Sequence, residues 1–254
     1  AAGGIGRPLA IALAAKGAKL VLVDRDAARL QSLCQEINQT GGLAIKIIED
    51  FQQVEAAQDV VDAAIEHLGA IDILINSAGI LDFVLFDAQS AERIAQMIHI
   101  NATVPIQLAR AVLPGFLARN SGQVVNVGSI FGSIGFPHFA TYSASKFAVH
   151  GFSQALRREL LGSNIVVTYI APRAVKTPMN NEAASQMLTA TKTAMDDPLE
   201  VVAQIITAIE QKKQEHYIGQ PESFFAWLNG ALPCAVNMGL KKQVKIARQY
   251  VAKS

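Results

Sequence analysis

The chain has 254 residues, of which 51% are hydrophobic, and a net charge of +1. That is enough apolar material for one large core, and the charge is too balanced for a nucleic-acid footprint, so no nucleic-acid partner is expected. Two cysteines make no disulfide framework and fit a reducing cytoplasm, and no apolar run is long enough to span a bilayer.

Gly3, Gly4 and Gly6 stand just before an apolar helical stretch at 9–15. Glycines there permit a tight turn and a close backbone approach to a pyrophosphate, which the free N–H groups of the helix start then hold. Asp24 ends a short β-rich burst at 20–23. It is placed to accept hydrogen bonds from an adenine ribose and to repel a 2′-phosphate. Arg25, next to it, attracts that phosphate instead. The balance favours NAD over NADP.

Beyond Asp24 the pattern predicts a helix at 27–40, a strand at 43–48, a helix at 54–68 and a strand at 71–75. One or two helices over 92–117 follow, then a strand at 123–127, a helix at 142–161 and a strand at 165–170. A polar, alanine-rich stretch at 178–197 has no period and reads as a flexible cover. A helix at 198–211 and a last short strand at Tyr217 and Ile218 complete the core. Near-continuous apolar bursts between helices indicate an α/β fold, a Rossmann-like doubly wound parallel sheet in a single domain over 1–219. Ligands of such sheets sit outside the carboxyl ends of the strands. A strand is expected before the glycine turn and none precedes it here. The sequence therefore reads as a fragment with its first strand missing, which leaves two strands without a neighbour.

Tyr142 and Lys146 lie four positions apart, on one helix face, with Ser129 upstream. An ammonium beside a phenol favours the phenolate, so the spacing predicts a lowered tyrosine pKa and a proton donor or acceptor for an alcohol or carbonyl oxygen.

Together these features resemble the short-chain dehydrogenase/reductase family. Ala1-Ala2-Gly3-Gly4-Ile5-Gly6 resembles the tail of its Thr-Gly-x-x-x-Gly-Ile-Gly turn, and Asn76-Ser77-Ala78-Gly79 its Asn-x-Ala-Gly turn. Asp50, followed by Phe51, matches the aspartate that meets the adenine, and Asn101 the asparagine of the long central helix. Ser129, Tyr142 and Lys146 match the catalytic serine, tyrosine and lysine. Pro172 to Thr177 resembles the Pro-Gly-x-Val-x-Thr segment, keeping Pro172, Val175 and Thr177 but carrying Arg173 in place of glycine.

The resemblance implies hydride transfer between a nicotinamide and an alcohol or carbonyl carbon. Tyr142 would move the proton, Ser129 hold the substrate oxygen, Lys146 tune Tyr142 and hold the ribose, and Asn101 fix a water in a proton relay. It also implies a homodimer or homotetramer built on 92–117 and 142–161. The alternative is a dinucleotide-binding scaffold without turnover. Phe83, Phe86, Phe131, Phe136 and Phe139 make the surrounding loops apolar, which suggests a small apolar alcohol or ketone as substrate. The tail at 220–254 carries Phe224, Phe225, Trp227 and Leu228, then Lys241, Lys242, Lys245 and Arg248. A lid, a subunit contact and a membrane-surface segment all remain open for it.

Overall fold

A computed structural model describes residues 1–51 and 56–251. The start of the predicted helix at 54–68 and the last three tail residues lie outside the described residues. The elements run α1 (Gly6–Ala15), β1 (Lys19–Asp24), α2 (Ala27–Gln39), β2 (Leu43–Ile48), α3 (Ala56–Leu68) and β3 (Ile73–Asn76). Then come α4 (Ala91–Ile98), a π turn (His99–Thr103), α5 (Val104–Arg119), β4 (Gly122–Val127), α6 (Ala140–Glu159) and β5 (Ile165–Pro172). The chain continues through α7 (Glu182–Ala190), α8 (Pro198–Glu210), β6 (Glu215–Ile218), α9 (Glu222–Ala231) and α10 (Pro233–Tyr250).

Local chemistry sets several of these boundaries. The side chains of Asp26, Ser90, Asn181 and Asp197 accept backbone N–H bonds at the starts of α2, α4, α7 and α8. Each satisfies a donor that the helix itself leaves open.

All strand pairs are parallel. β1 pairs with β2, and β3, β4, β5 and β6 pair in that order. The sheet thus comes in two pieces, and among the described residues β1 and β3 each have a strand partner on one side only. Alternate residues of β4 and β5 feed opposite layers, as the pleat requires. Val124 and Val167 pack with α3, α5 and α6, whereas Val125 and Ile170 pack with α1 and α8. This is the doubly wound arrangement. In α1, Leu9 joins the core of the larger sheet piece and Ala10 joins Leu22 and Leu30 beside the smaller one.

Two regions differ from the sequence expectation. The segment at 178–197 contains α7, whose Ala184, Met187 and Leu188 pack against Tyr142, so it is a built cover rather than an irregular one. The tail is a helix pair folded back onto the domain. Ala226 and Val236 pack on Ile130 and Ile134, while Ala247 and Val251 pack in the cluster that holds Tyr142 and Met187.

Candidate active site

One cavity of about 530 Å³ runs from the glycine turn to the start of α6. Of the sequence-predicted residues, Gly3, Gly4, Ile5, Gly6, Asp24, Arg25, Asp50, Phe51, Ala78 and Gly79 line it. So do Ser129, Tyr142, Lys146, Pro172, Val175 and Thr177. Asn76 and Asn101 do not line it; they stand behind its wall. Asn76 donates to Asn126 Oδ1 at 2.9 Å, a buried tie between β3 and β4. Asn101 sits in the π turn. Its Oδ1 accepts from Ile80 N–H at 2.8 Å, and its Nδ2 donates to Ile80 O at 2.8 Å and Ser145 Oγ at 3.0 Å. The amide thereby clamps the 77–81 loop onto α6, and Gly79 lies between Asn101 Oδ1 and Lys146 Nζ.

At the glycine end, α1 begins without a side-chain cap. Arg7 N–H already donates to Gly3 O at 3.0 Å and Leu9 N–H to Ile5 O at 3.1 Å, and Pro8 has no N–H, so an anion there would meet the backbone N–H groups ahead of Arg7. A Cβ on Gly4 would stand 2.5 Å from Thr177 Cγ2, so only glycine lets Thr177 close over this turn. Asp24 accepts from the backbone N–H of Ala2 at 2.7 Å, while Arg25 turns outward to within 3.7 Å of Asp50. An uncapped helix start, a turn with no side chains and a carboxylate at the strand end fit the diphosphate and ribose of a dinucleotide.

At the other end, Ser129 closes β4 and opens a short 3-10 turn. Its Oγ accepts from Phe131 N–H at 3.1 Å and shares a hydrogen bond with the Tyr142 phenol. With one lone pair committed to Phe131, the hydroxyl keeps its proton and a second lone pair for the phenol and a substrate oxygen. Lys146 Nζ donates to Val127 O at 3.2 Å and lies 5.7 Å from the Tyr142 ring centre. The other two N–H directions of the ammonium remain for ligand oxygens.

The electrostatics depart from the sequence expectation of a lowered tyrosine pKa. Burial pushes Tyr142 up to about 12, against the Ser129 hydrogen bond, and brings Lys146 down to about 8. Both groups are buried in the same wall, and taking the charged form of each out of water is the main cause of both shifts. The spacing shows the pair and does not show its burial.

Tyr169, in β5, is a residue that the motif reading passed over. It is fully buried. Its hydroxyl donates to Ser129 O at 3.1 Å and accepts from Ser129 N–H at 3.4 Å, so it brackets the serine backbone. The ring stacks on His150 with centres 4.5 Å apart. A Cβ on Gly128 would come within 2.3 Å of that ring, so the bracket depends on glycine there. The one available signal was an aromatic placed in an otherwise aliphatic strand. Arg173 was also under-read. It takes an ordinary backbone conformation and latches Asp196 at 2.7 Å and Glu222 at 2.9 Å, tying the end of the α7 cover to the start of α9.

The substrate end is apolar. Phe131, Phe136 and Phe139 line it together with Met187, Leu188 and Leu240. Phe83 lies beneath, stacked on Phe139, and Phe86 points to solvent, so neither lines the cavity as expected.

The family model described as short chain dehydrogenase matches residues 1–188. The uncharacterized oxidoreductase YxnA of Bacillus subtilis is 32% identical over 92% of this chain and 67% of its own. The ketoacyl reductase HetN of a Nostoc species is 31% identical over 85% and 75%. A solved short chain dehydrogenase/reductase from Burkholderia phymatum, in complex with NAD, superposes with a TM-score of 0.82 at 24% identity, covering 91% of this chain and 90% of that one. With a matching model over most of its length and relatives of this breadth, the chain belongs to the short chain dehydrogenase family of oxidoreductases.

Proposed function

We propose that the protein is a nicotinamide-dependent oxidoreductase acting between an alcohol and a carbonyl carbon of a small apolar substrate, with Tyr142 as the proton-moving group. The observation that carries this reading is the shared cavity, which has the glycine turn at one end and Ser129, Tyr142 and Lys146 at the other. The ketoacyl reductase among its relatives points the same way, toward a carbonyl on an acyl-like body.

When bound, the nicotinamide supplies or accepts the hydride. The protein's own residues do the rest. The start of α1 and Gly4 hold the diphosphate, Asp24 the adenine ribose, and Lys146 the second ribose. Asp24 and Arg25 both line the cavity; with Arg25 drawn to within 3.7 Å of Asp50, this reading favours NAD over NADP. Ser129 orients the substrate oxygen by a hydrogen bond. Tyr142, a neutral phenol well below its pKa of about 12, gives its proton to that oxygen as the carbonyl is reduced, and Lys146 below about 8 carries the charge that eases the proton's departure. In the reverse direction Tyr142 would start as the phenolate and take up the alcohol proton as hydride leaves. Asn101 acts at one remove, by fixing the 77–81 loop and Ser145 next to Lys146. Dimers or tetramers through α4–α5 and α6 fit this reading.

The test is Tyr142→Phe, assayed with NADH and NADPH against apolar ketones. Turnover is expected to fall by at least about a hundredfold, the scale of one positioned acid. Cofactor affinity by nicotinamide fluorescence should stay near the parent's, with NADH binding the tighter. Turnover close to the parent's would remove Tyr142 from its role. Cofactor binding by the folded parent with no turnover of any ketone would favour the scaffold reading.

A further inference from the structure

The helix pair α9–α10 has two unlike faces. Its inner face lines the apolar end of the cavity with Phe225, Leu228, Val236 and Leu240. Its outer face leaves large apolar side chains in water. Trp227 is 68% exposed, Met238 65% and Leu232 59%, and the Phe224 ring packs against Trp227 with centres 5.9 Å apart. Isolated exposed apolar residues are ordinary, but a cluster of them on one short element is not. Further along α10, Lys241, Lys242, Lys245 and Arg248 are exposed as well. The one acid between residues 220 and 251 is Glu222, and Arg173 already holds it at 2.9 Å. The outer face therefore joins an apolar patch to a basic one with no free acid of its own.

We propose that this outer face docks on an anionic lipid surface, with the aromatic end of α9 dipping into the headgroup boundary and the lysines of α10 lying over the phosphates. Neither helix is long and apolar enough to cross a membrane, so the mode is interfacial. A second copy of the chain is the less fitting occupant. A two-fold contact of the patch with itself sets basic side chains against basic side chains, with no acid to answer them. A bilayer carrying anionic lipid supplies both missing partners, apolar depth and negative charge. Because the same helices roof the cavity, an apolar substrate dissolved in the bilayer would meet the entrance where the protein sits. That last step rests on the proposed function, whereas the docking does not.

Trp227 is the sole tryptophan, so its fluorescence reports the contact directly. The full chain is mixed with vesicles of phosphatidylcholine alone and of phosphatidylcholine with phosphatidylserine, then sedimented. Co-sedimentation and a blue shift of Trp227 emission are expected with the phosphatidylserine vesicles only. Lys241→Glu, Lys242→Glu and Lys245→Glu together should abolish binding, at roughly fivefold or more per charge. Phe224→Ser should weaken it while leaving NADH affinity unchanged, since that residue lies outside the cavity.

An unshifted Trp227 with no sedimentation would overturn the proposal. So would equal binding to both vesicle types, or lipid-free self-association in sedimentation velocity that Phe224→Ser abolishes. An inactive protein that still binds phosphatidylserine vesicles keeps the docking and loses the enzyme reading; an active one that ignores them does the reverse.

Discussion

Lys146 shows what the burial of a cation costs the fold. Its pKa falls from the ordinary 10.5 to about 8, because burial disfavours the ammonium. The unfolded chain therefore binds this proton more tightly than the folded one. Between about pH 8 and 10.5 stability should rise with pH as the penalty disappears, and below 8 the full penalty, about 3 kcal/mol, is present. Lys146→Met is expected to be the more stable protein at pH 7, to lack the rise in urea midpoint seen in the parent above pH 8, and to be inactive. An identical pH profile for the two would contradict this account. Tyr169 acts at the same scale but through another residue. Tyr169→Phe keeps the ring on His150 and removes only the hydroxyl that brackets Ser129. A fall in kcat of about tenfold, with cofactor KM unchanged, is expected from a loosened serine; a lower melting temperature at full kcat would mean that the bracket is only structural. Ser129, Tyr142 and Lys146 were legible through the family motifs they match, since a Tyr-x-x-x-Lys spacing alone arises on many helices. The sequence hid Tyr169, since in a strand buried on both faces an aromatic residue reads as core whichever way its hydroxyl points.

At the scale of elements, the predicted 92–117 helix is two helices joined by the π turn that turns Asn101 toward Ile80 and Ser145. A one-residue change in helical phase leaves almost no trace in a hydrophobic pattern, so periodicity alone left one or two helices open. The latch is a second case. Arg173 looked like a missing glycine, yet its guanidinium joins the strand end, the α7 cover and α9 in one set of contacts. Arg173→Met should leave the sheet intact and free both covers. Hydrogen exchange is expected to accelerate in α7 and α9 but not in β4, with a higher KM for apolar ketones. Uniform exchange across the domain would show that the latch serves global stability instead. The partners of Arg173 lie more than twenty positions away in sequence, and for that reason no local pattern revealed them.

For the molecule as a whole, alternating bursts and helices were enough to read a doubly wound parallel sheet, because the burial of β4 and β5 on two faces is written into their composition. Among the described residues the strands pair in two groups, β1 with β2 and β3 through β6. The tail was the least legible part. Helix α9 is apolar on both sides, toward the cavity and toward water, so amphipathicity gave it no single direction. One feature of the sheet carries further. Helix α1 seats Leu9 in one half of the core and Ala10 in the other, and its first residue, Gly6, lines the cavity. An anion gripped there is held by the same rod that spans the seam, so ligand affinity and the cohesion of the two halves draw on a single linked free energy. The wall of the cavity and the keystone of the domain are, in that sense, one part.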